Sequence, residues 1–352
     1  MCNYTFNIKK KNGSLETIEL EDSVPEFYIN SQKYNAMLNA IRIGMTTWVD
    51  DDFFKKMNVT LGIYENVYST NAISHYDKNT GKNYICISLG LICRFWKLAK
   101  ECVNHKNFEK VFRVEKGAKN ELINIIFNFM INFIVAHEFG HIAHGHLLNT
   151  PSSTFEEADG NELNEADKEE NWNTQLKEYD ADWYAATISA KYLLSRWPED
   201  EKIQLINNDI LFISTYLCYR ALSEATRRDF SSYFEKDIKA YDHPHQGIRM
   251  FYTMIFYADV YISNEQLVKN YYLLLTSGVN AVVSYEKNVL GKEKLTETFY
   301  NVYLTKRGSD HVKNLNNDWR KKVSKYNKKA YIHIPRLSFI DEIPLNWDLN
   351  KG

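Results

Sequence analysis

Residues 120–148 read NELINIIFNFMINFIVAHEFGHIAHGHLL, and this stretch decides how the rest of the chain is read. It is apolar, holds no proline and has helical character throughout. Near its end stands His137-Glu138-Phe139-Gly140-His141. Two histidines four residues apart lie on one helix face, a turn apart, so both imidazoles can reach one tetrahedral cation. Glu138 is rotated by roughly 100° from His137. It is badly placed to ligate beside the rings but well placed to take a proton from water. Zinc lowers the pKa of a bound water to about 7, which suits a carboxylate base. The bland alternative is a core helix with two satisfied histidines.

A catalytic zinc needs a third protein ligand and an open fourth position. The metzincin solution requires Gly and His further along the same motif, where His144 and Leu147 stand, so it is excluded. The other solution is a Glu on a later helix. Glu178 is the candidate, within Glu178-Tyr179-Asp180-Ala181-Asp182-Trp183-Tyr184-Ala185-Ala186. Asp182 follows one turn on, placed to accept the second ring N–H of His137 or His141. Ala181, Ala185 and Ala186 are small enough for this helix to pack closely on the first. If the first helix continues to Leu148, His144 returns to the face of His137. His146 then points away and reads as structural.

These residues resemble a known group. HEFGH followed by E-x-x-A-D is similar to the pattern of gluzincin zinc metallopeptidases, nearest the HtpX and CAAX-prenyl-protease types and the Lit-type phage-exclusion peptidases. His146, nine residues after His137, and His243-Pro244-His245-Gln246-Gly247-Ile248-Arg249, as a His-Pro-x4-Arg element, extend the likeness over residues 130–250. The resemblance implies that His243 or Arg249 stabilises the oxyanion of peptide hydrolysis; both are donors able to meet developing negative charge. The alternative for Arg249 is a pairing with an acid such as Asp182. HtpX-type enzymes are membrane-embedded, so the soluble Lit-type comparison is favoured.

Composition sets the outer limits. The chain has 352 residues, 44% hydrophobic and 25% charged, with 14 Gly and 6 Pro. Wholesale disorder and collagen-like structure are excluded. A net charge of -2 argues against electrostatic nucleic-acid binding by the whole chain. Five scattered Cys without a CxxC pair read as reduced thiols of a cytoplasmic protein. The beginning of the sequence lacks an apolar stretch of signal-peptide length. The most apolar run, Leu122 to Ala136, is short for a bilayer and is interrupted by Asn124, Asn128 and Asn132, so no membrane segment is expected.

The first 88 residues read as strands and helix. Tyr4 to Ile8 and Leu15 to Leu20 form an expected hairpin around Lys11-Asn12-Gly13-Ser14. Thr60 to Ser69 and Asn83 to Ser88 form a second expected pair, with Lys78-Asn79-Thr80-Gly81 as a turn between or near them. Helices are expected over Leu89 to Asn104, Asn120 to Leu148, Trp172 to Arg196, Ile203 to Arg227, Gln246 to Ile262 and Glu265 to Leu275. The acidic run Glu156 to Glu170 reads as a solvated loop or a lid. The basic run Lys306 to Lys329 reads as a solvated helix face or a patch for an acidic partner.

The expectation is an α+β chain: a predominantly helical zincin-like catalytic core with an N-terminal antiparallel strand region. The divisions are 1–110 (α+β), 111–265 (zinc-peptidase core) and 266–352 (helical, with the basic segment). Zn2+ is held by His137, His141 and Glu178, supported by Asp182. Glu138 is the base, and His243 and Arg249 assist. The substrate is a protein or peptide docked on an edge strand, with the loop Asn149 to Asn171 covering the site. The oligomeric state is left open. The alternatives are a single-target protease effector and a non-catalytic zinc-stabilised binding protein.

Overall fold

The computed structural model describes residues 4–9, 15–21, 52–64, 68–112, 116–149, 154–156, 168–226, 238–241, 243–266, 268–291 and 305–327. It is α+β and predominantly helical. The strands are β1 (Tyr4–Lys9), β2 (Leu15–Glu21), β3 (Val59–Tyr64), β4 (Ala72–Asp77), β5 (Lys82–Ser88) and β6 (Thr154–Glu156). They form one sheet in the order β1-β2-β3-β5-β4-β6. The helices are α1 (Asp52–Lys56), α2 (Leu89–Asn104), α3 (Phe108–Val111), α4 (Lys119–Ala143), α5 (Lys168–Leu194), α6 (Glu201–Thr226), α7 (Gln246–Ile262), α8 (Tyr271–Asn288) and α9 (Lys306–Asn327).

The first expected hairpin forms, with Tyr4 opposite Leu20 and Lys9 opposite Leu15. Its turn residues lie outside the described ones. The second pair also forms, but in parallel, with Val59 beside Asn83 and Tyr64 beside Ser88. The sheet is therefore mixed rather than antiparallel. The reason is a strand the sequence reading missed. β4 makes the reversal, so β5 returns in the direction of β3. The Lys78–Gly81 turn joins β4 to β5: Asp77 accepts from Asn79 N (2.9 Å) and Thr80 Oγ1 (2.5 Å), and Gly81 takes φ +68°. β5 then runs straight into α2, because the Ser88 hydroxyl accepts from Leu91 N and caps the helix. β6 pairs antiparallel with β4, so the outer edge of β4 is occupied. Of the expected covering loop Asn149 to Asn171, residues 150–153 and 157–167 lie outside the described ones, and 168–171 are the first turn of α5 rather than loop.

α4 is the central element, packed by α2, α5 and α6 and by β4 and β5. Among the described residues it is the one helix long and apolar enough to cross a membrane. Here it is mostly buried in protein, and its last turns carry three buried ionisable side chains, His137, Glu138 and His141. The Asn124, Asn128, Asn132 stripe is half-buried rather than sealed in the core.

Two helix limits differ from expectation. α4 stops at Ala143, not Leu148, since Gly145 adopts φ +71°. His144 N bonds Gly140 O (3.0 Å) and Gly145 N bonds Ile142 O (3.0 Å), a glycine-terminated helix end. α8 covers Tyr271–Asn288 rather than Glu265 to Leu275: it starts after Asn270, whose side chain accepts from Leu273 N, and runs on through Gly278. Phe212 occupies the place a Cβ would take at Gly278, 2.5 Å from it, so packing keeps the glycine inside the helix.

Candidate metal centre

α4 and α5 meet at Gly140. A Cβ there would lie 3.1 Å from Ala181 Cα and 3.2 Å from Tyr184 Cβ, tighter than backbone normally tolerates. The glycine within the motif thus lets the two helices approach at the level of His137 and His141. Ala181, Ala185 and Ala186 are buried, in keeping with close packing.

The approach brings three donors together. His137 Nε2 and His141 Nε2 face each other at 3.1 Å. Glu178 Oε2 is 3.3 Å from His137 Nε2, and Glu178 Oε1 is 3.4 Å from His141 Nε2. All three residues are about 99% or more buried. Zinc bonds of about 2.0–2.2 Å in a tetrahedron require ligand atoms roughly 3.3–3.6 Å apart. The observed spacing lies at or just under that edge length, so these residues fit a metal ion.

The second ring nitrogens point outward. His137 Nδ1 is 2.9 Å from Asp182 Oδ1. Asp182 is in turn gripped by Arg249, through Nε to Oδ2 and Nη2 to Oδ1, both at 2.8 Å, and by the Tyr252 hydroxyl at 2.6 Å. Burial alone would push the Asp182 carboxyl up, but Arg249 and then His137 outweigh it and hold it below its ordinary value. The Arg249 guanidinium also lies over the Tyr219 ring, 4.9 Å from its centroid. Asp182 is therefore an ionised acceptor that orients His137.

His243 and Arg249 both reach the cluster. His243 Nε2 is 3.5 Å from Glu178 Oε1, and Arg249 Nη2 is 3.5 Å from Glu178 Oε2. Arg249 forks onto Asp182, which is the alternative weighed against an oxyanion role. His243 is held by the start of α7, where the His245 ring accepts from Gly247 N (3.0 Å) as the N-cap. Glu138 is buried beside His137. Burial, and after it the Glu138 charge, push the Cys86 thiol of β5 upward.

No protein-family model, no curated protein and no solved structure matches this chain. The centre is therefore read from its own geometry.

A second group of possible ligands was missed in sequence: His144, His146 and Asp180, all buried. His144, at the C-terminal end of α4, is fully buried. Asp180 Oδ2 is 2.5 Å from His144 Nδ1 and 3.0 Å from His146 Nε2, and Asp180 Oδ1 accepts from Trp319 Nε1 at 2.6 Å. Burial works against the Asp180 charge, but His144 and then His146 hold its carboxyl well below the usual range. Burial pushes the His146 imidazole down to about 4, against the pull of Asp180. The two groups touch, since His141 Nδ1 is 2.9 Å from His146 Nδ1. The available signal was Gly145, which breaks the helix and turns His146 back.

The basic run forms α9. His311, Leu315, Asn316 and Trp319 are buried, whereas Lys306, Arg307, Lys313 and Lys321 face solvent. The buried face docks on α5 through His311 to Gln175 (2.8 Å), Tyr179 to Asn316 (3.2 Å) and Trp319 to Asp180.

Proposed function

We propose that the chain is a zinc-dependent endopeptidase of the gluzincin kind, acting on a protein or peptide substrate. The observation that carries this reading is the convergence of His137 Nε2, His141 Nε2 and the Glu178 carboxylate near tetrahedral spacing, on a helix in which the neighbouring Glu138 is buried. Two imidazoles and one carboxylate are a donor set typical of catalytic zinc. The ion, when bound, supplies a water acid enough to lose its proton near pH 7 and polarises the scissile carbonyl.

The chain's own residues do the remaining work. Glu138 takes a proton from the attacking water and returns it to the leaving amine nitrogen. Asp182 holds the His137 ring so that Nε2 faces inward, and Arg249 keeps Asp182 charged. Of the two proposed oxyanion donors, His243 has the simpler geometry, because the Arg249 fork is engaged by Asp182. A peptide docking by backbone pairing would meet β6 at the outer edge of β4.

The test is metal analysis of the purified chain together with mapping of new protein N-termini in cells expressing wild type or Glu138→Gln. One zinc per chain and termini that appear with wild type alone support the reading. A zinc-loaded chain that generates no new termini in any condition points to a zinc-stabilised binding protein instead.

A further inference from the structure

Asp180 and His146 have no part in the hydrolysis proposed above, yet they form a line of close polar contacts that ends on a metal ligand. We infer that they are positioning residues for His141: they fix the ring tautomer that aims its Nε2 lone pair into the cluster. This inference rests on the zinc-centre reading.

The argument is one of donors and acceptors. His141 Nδ1 and His146 Nδ1 are 2.9 Å apart and buried. At that distance one nitrogen must carry a hydrogen and the other a lone pair. If His146 Nδ1 carries it, the hydrogen of neutral His141 sits on Nε2, pointing at His137 and Glu178, and His141 cannot ligate. If His141 Nδ1 carries it, Nε2 is free to bind metal. The choice is made at the far nitrogen of His146, which lies 3.0 Å from Asp180 Oδ2. An ionised carboxylate only accepts, so the hydrogen of neutral His146 belongs on Nε2 and its Nδ1 must accept from His141. His144 and Trp319, both donating to Asp180, keep that carboxylate in place. Asp182 does for His137 directly what Asp180 does for His141 through an intervening ring.

The same three residues carry the donor types of a second metal site. Their spacing argues otherwise. The 2.5 Å contact between His144 Nδ1 and Asp180 Oδ2 is a hydrogen-bond length, well short of the roughly 3.3–3.6 Å separating two ligands of one tetrahedral zinc.

The test uses the full chain. Zinc affinity is measured by competition with a chromophoric chelator, the cobalt-substituted protein gives an absorption spectrum, and the metal-free protein gives a melting curve. Asp180→Asn can donate to His146 Nε2 and so reverse both rings. It should lose roughly 10–100-fold in zinc affinity and alter the cobalt spectrum. Asp180→Asn with His146→Asn should bind more tightly than Asp180→Asn alone, because no ring remains to carry the wrong tautomer. A packing role predicts a further loss instead. Should Asp180→Asn fail to fold, His146→Asn, which retains an acceptor near the ring Nδ1, should stay close to wild type while His146→Leu loses affinity. Unchanged affinity in Asp180→Asn, on a wild type that binds zinc, overturns the inference alone. A wild type that binds no zinc removes the centre and this inference with it. Two zinc ions per wild-type chain, one of them lost in Asp180→Asn, would assign the group to a second metal site.

Discussion

Two buried groups of histidine and carboxylate hang on the same pair of helices, and they differ in what their atoms face. In His137, His141 and Glu178, the nearest nitrogens and oxygens converge at 3.1–3.4 Å on a shared centre. In His144, His146 and Asp180, each nitrogen–oxygen contact is at hydrogen-bond length, down to 2.5 Å. Residue type is nearly identical in the two groups. Spacing separates a group that could hold a cation from one drawn in to hydrogen-bond distances, and α5 serves both by presenting Glu178 and Asp182 on one face and Asp180 roughly 200° round from Glu178.

The comparison can be broken most directly at the chemistry. Glu138→Gln should lower peptide hydrolysis by about 10²–10⁴-fold while zinc content stays that of wild type. In the second group His144→Gln, which keeps a donor for Asp180, should leave turnover within the range explained by stability. Equal losses in both variants would erase the distinction.

The carboxylates supply the next contrast. Asp182→Ala strands the buried Arg249, and breaking such a pair costs roughly 3–5 kcal/mol. Asp180→Ala strands the Trp319 indole N–H, at about 1–3 kcal/mol for a stranded neutral donor. Denaturant unfolding of the metal-free chains should show the larger shift for Asp182. The reverse order would mean that Arg249 finds another acid.

Acid should act on the side of the molecule that α9 supports. Burial depresses the His311 imidazole from its ordinary 6.5 to about 3. Between those values the unfolded chain binds the proton and the folded one does not. Stability is therefore fully present above pH 6.5 and falls, by up to a few kcal/mol, as pH drops toward about 3. Hydrogen exchange along α9 should rise in that window, and His311→Gln should flatten the dependence. A flat wild-type profile would show that α9 docking is independent of His311.

The smallest effect is expected at Gly140→Ala. The added methyl meets Ala181 and Tyr184, an overpacking cost of about 1–3 kcal/mol, partly offset by the better helix propensity of alanine, about 1 kcal/mol. Stability should change little, whereas zinc affinity should fall, because α4 and α5 are pushed apart at the ligands. A loss of stability with unchanged affinity would place the contact outside the centre.

Local geometry explains what was legible beforehand. The four-residue spacing of His137 and His141, and of Glu178 and Asp182, fixes side-chain pairs on helix faces whatever surrounds them. The α+β class and the first hairpin follow from residue periods of the same short range. β4 was not legible, since a six-residue strand next to a turn carries a weak period, and missing it gave the wrong sense to the pairing of β3 and β5. The limit of α4 was readable in Gly145 but was overridden by the apolar run before it. That error turned His144 and His146 the wrong way.

By itself the sequence determined that His137 and His141 could reach one cation, because a helix converts spacing into direction without help from elsewhere. Only the tertiary structure decided that Asp180 belongs with His144 and His146, that Trp319, 139 residues away, donates to it, and that Arg249 is engaged by Asp182. Those contacts depend on how a broken helix end and a distant helix are packed. A hydrogen bond between far segments forms where burial leaves polar atoms no water to turn to, and no local period records which segments will meet.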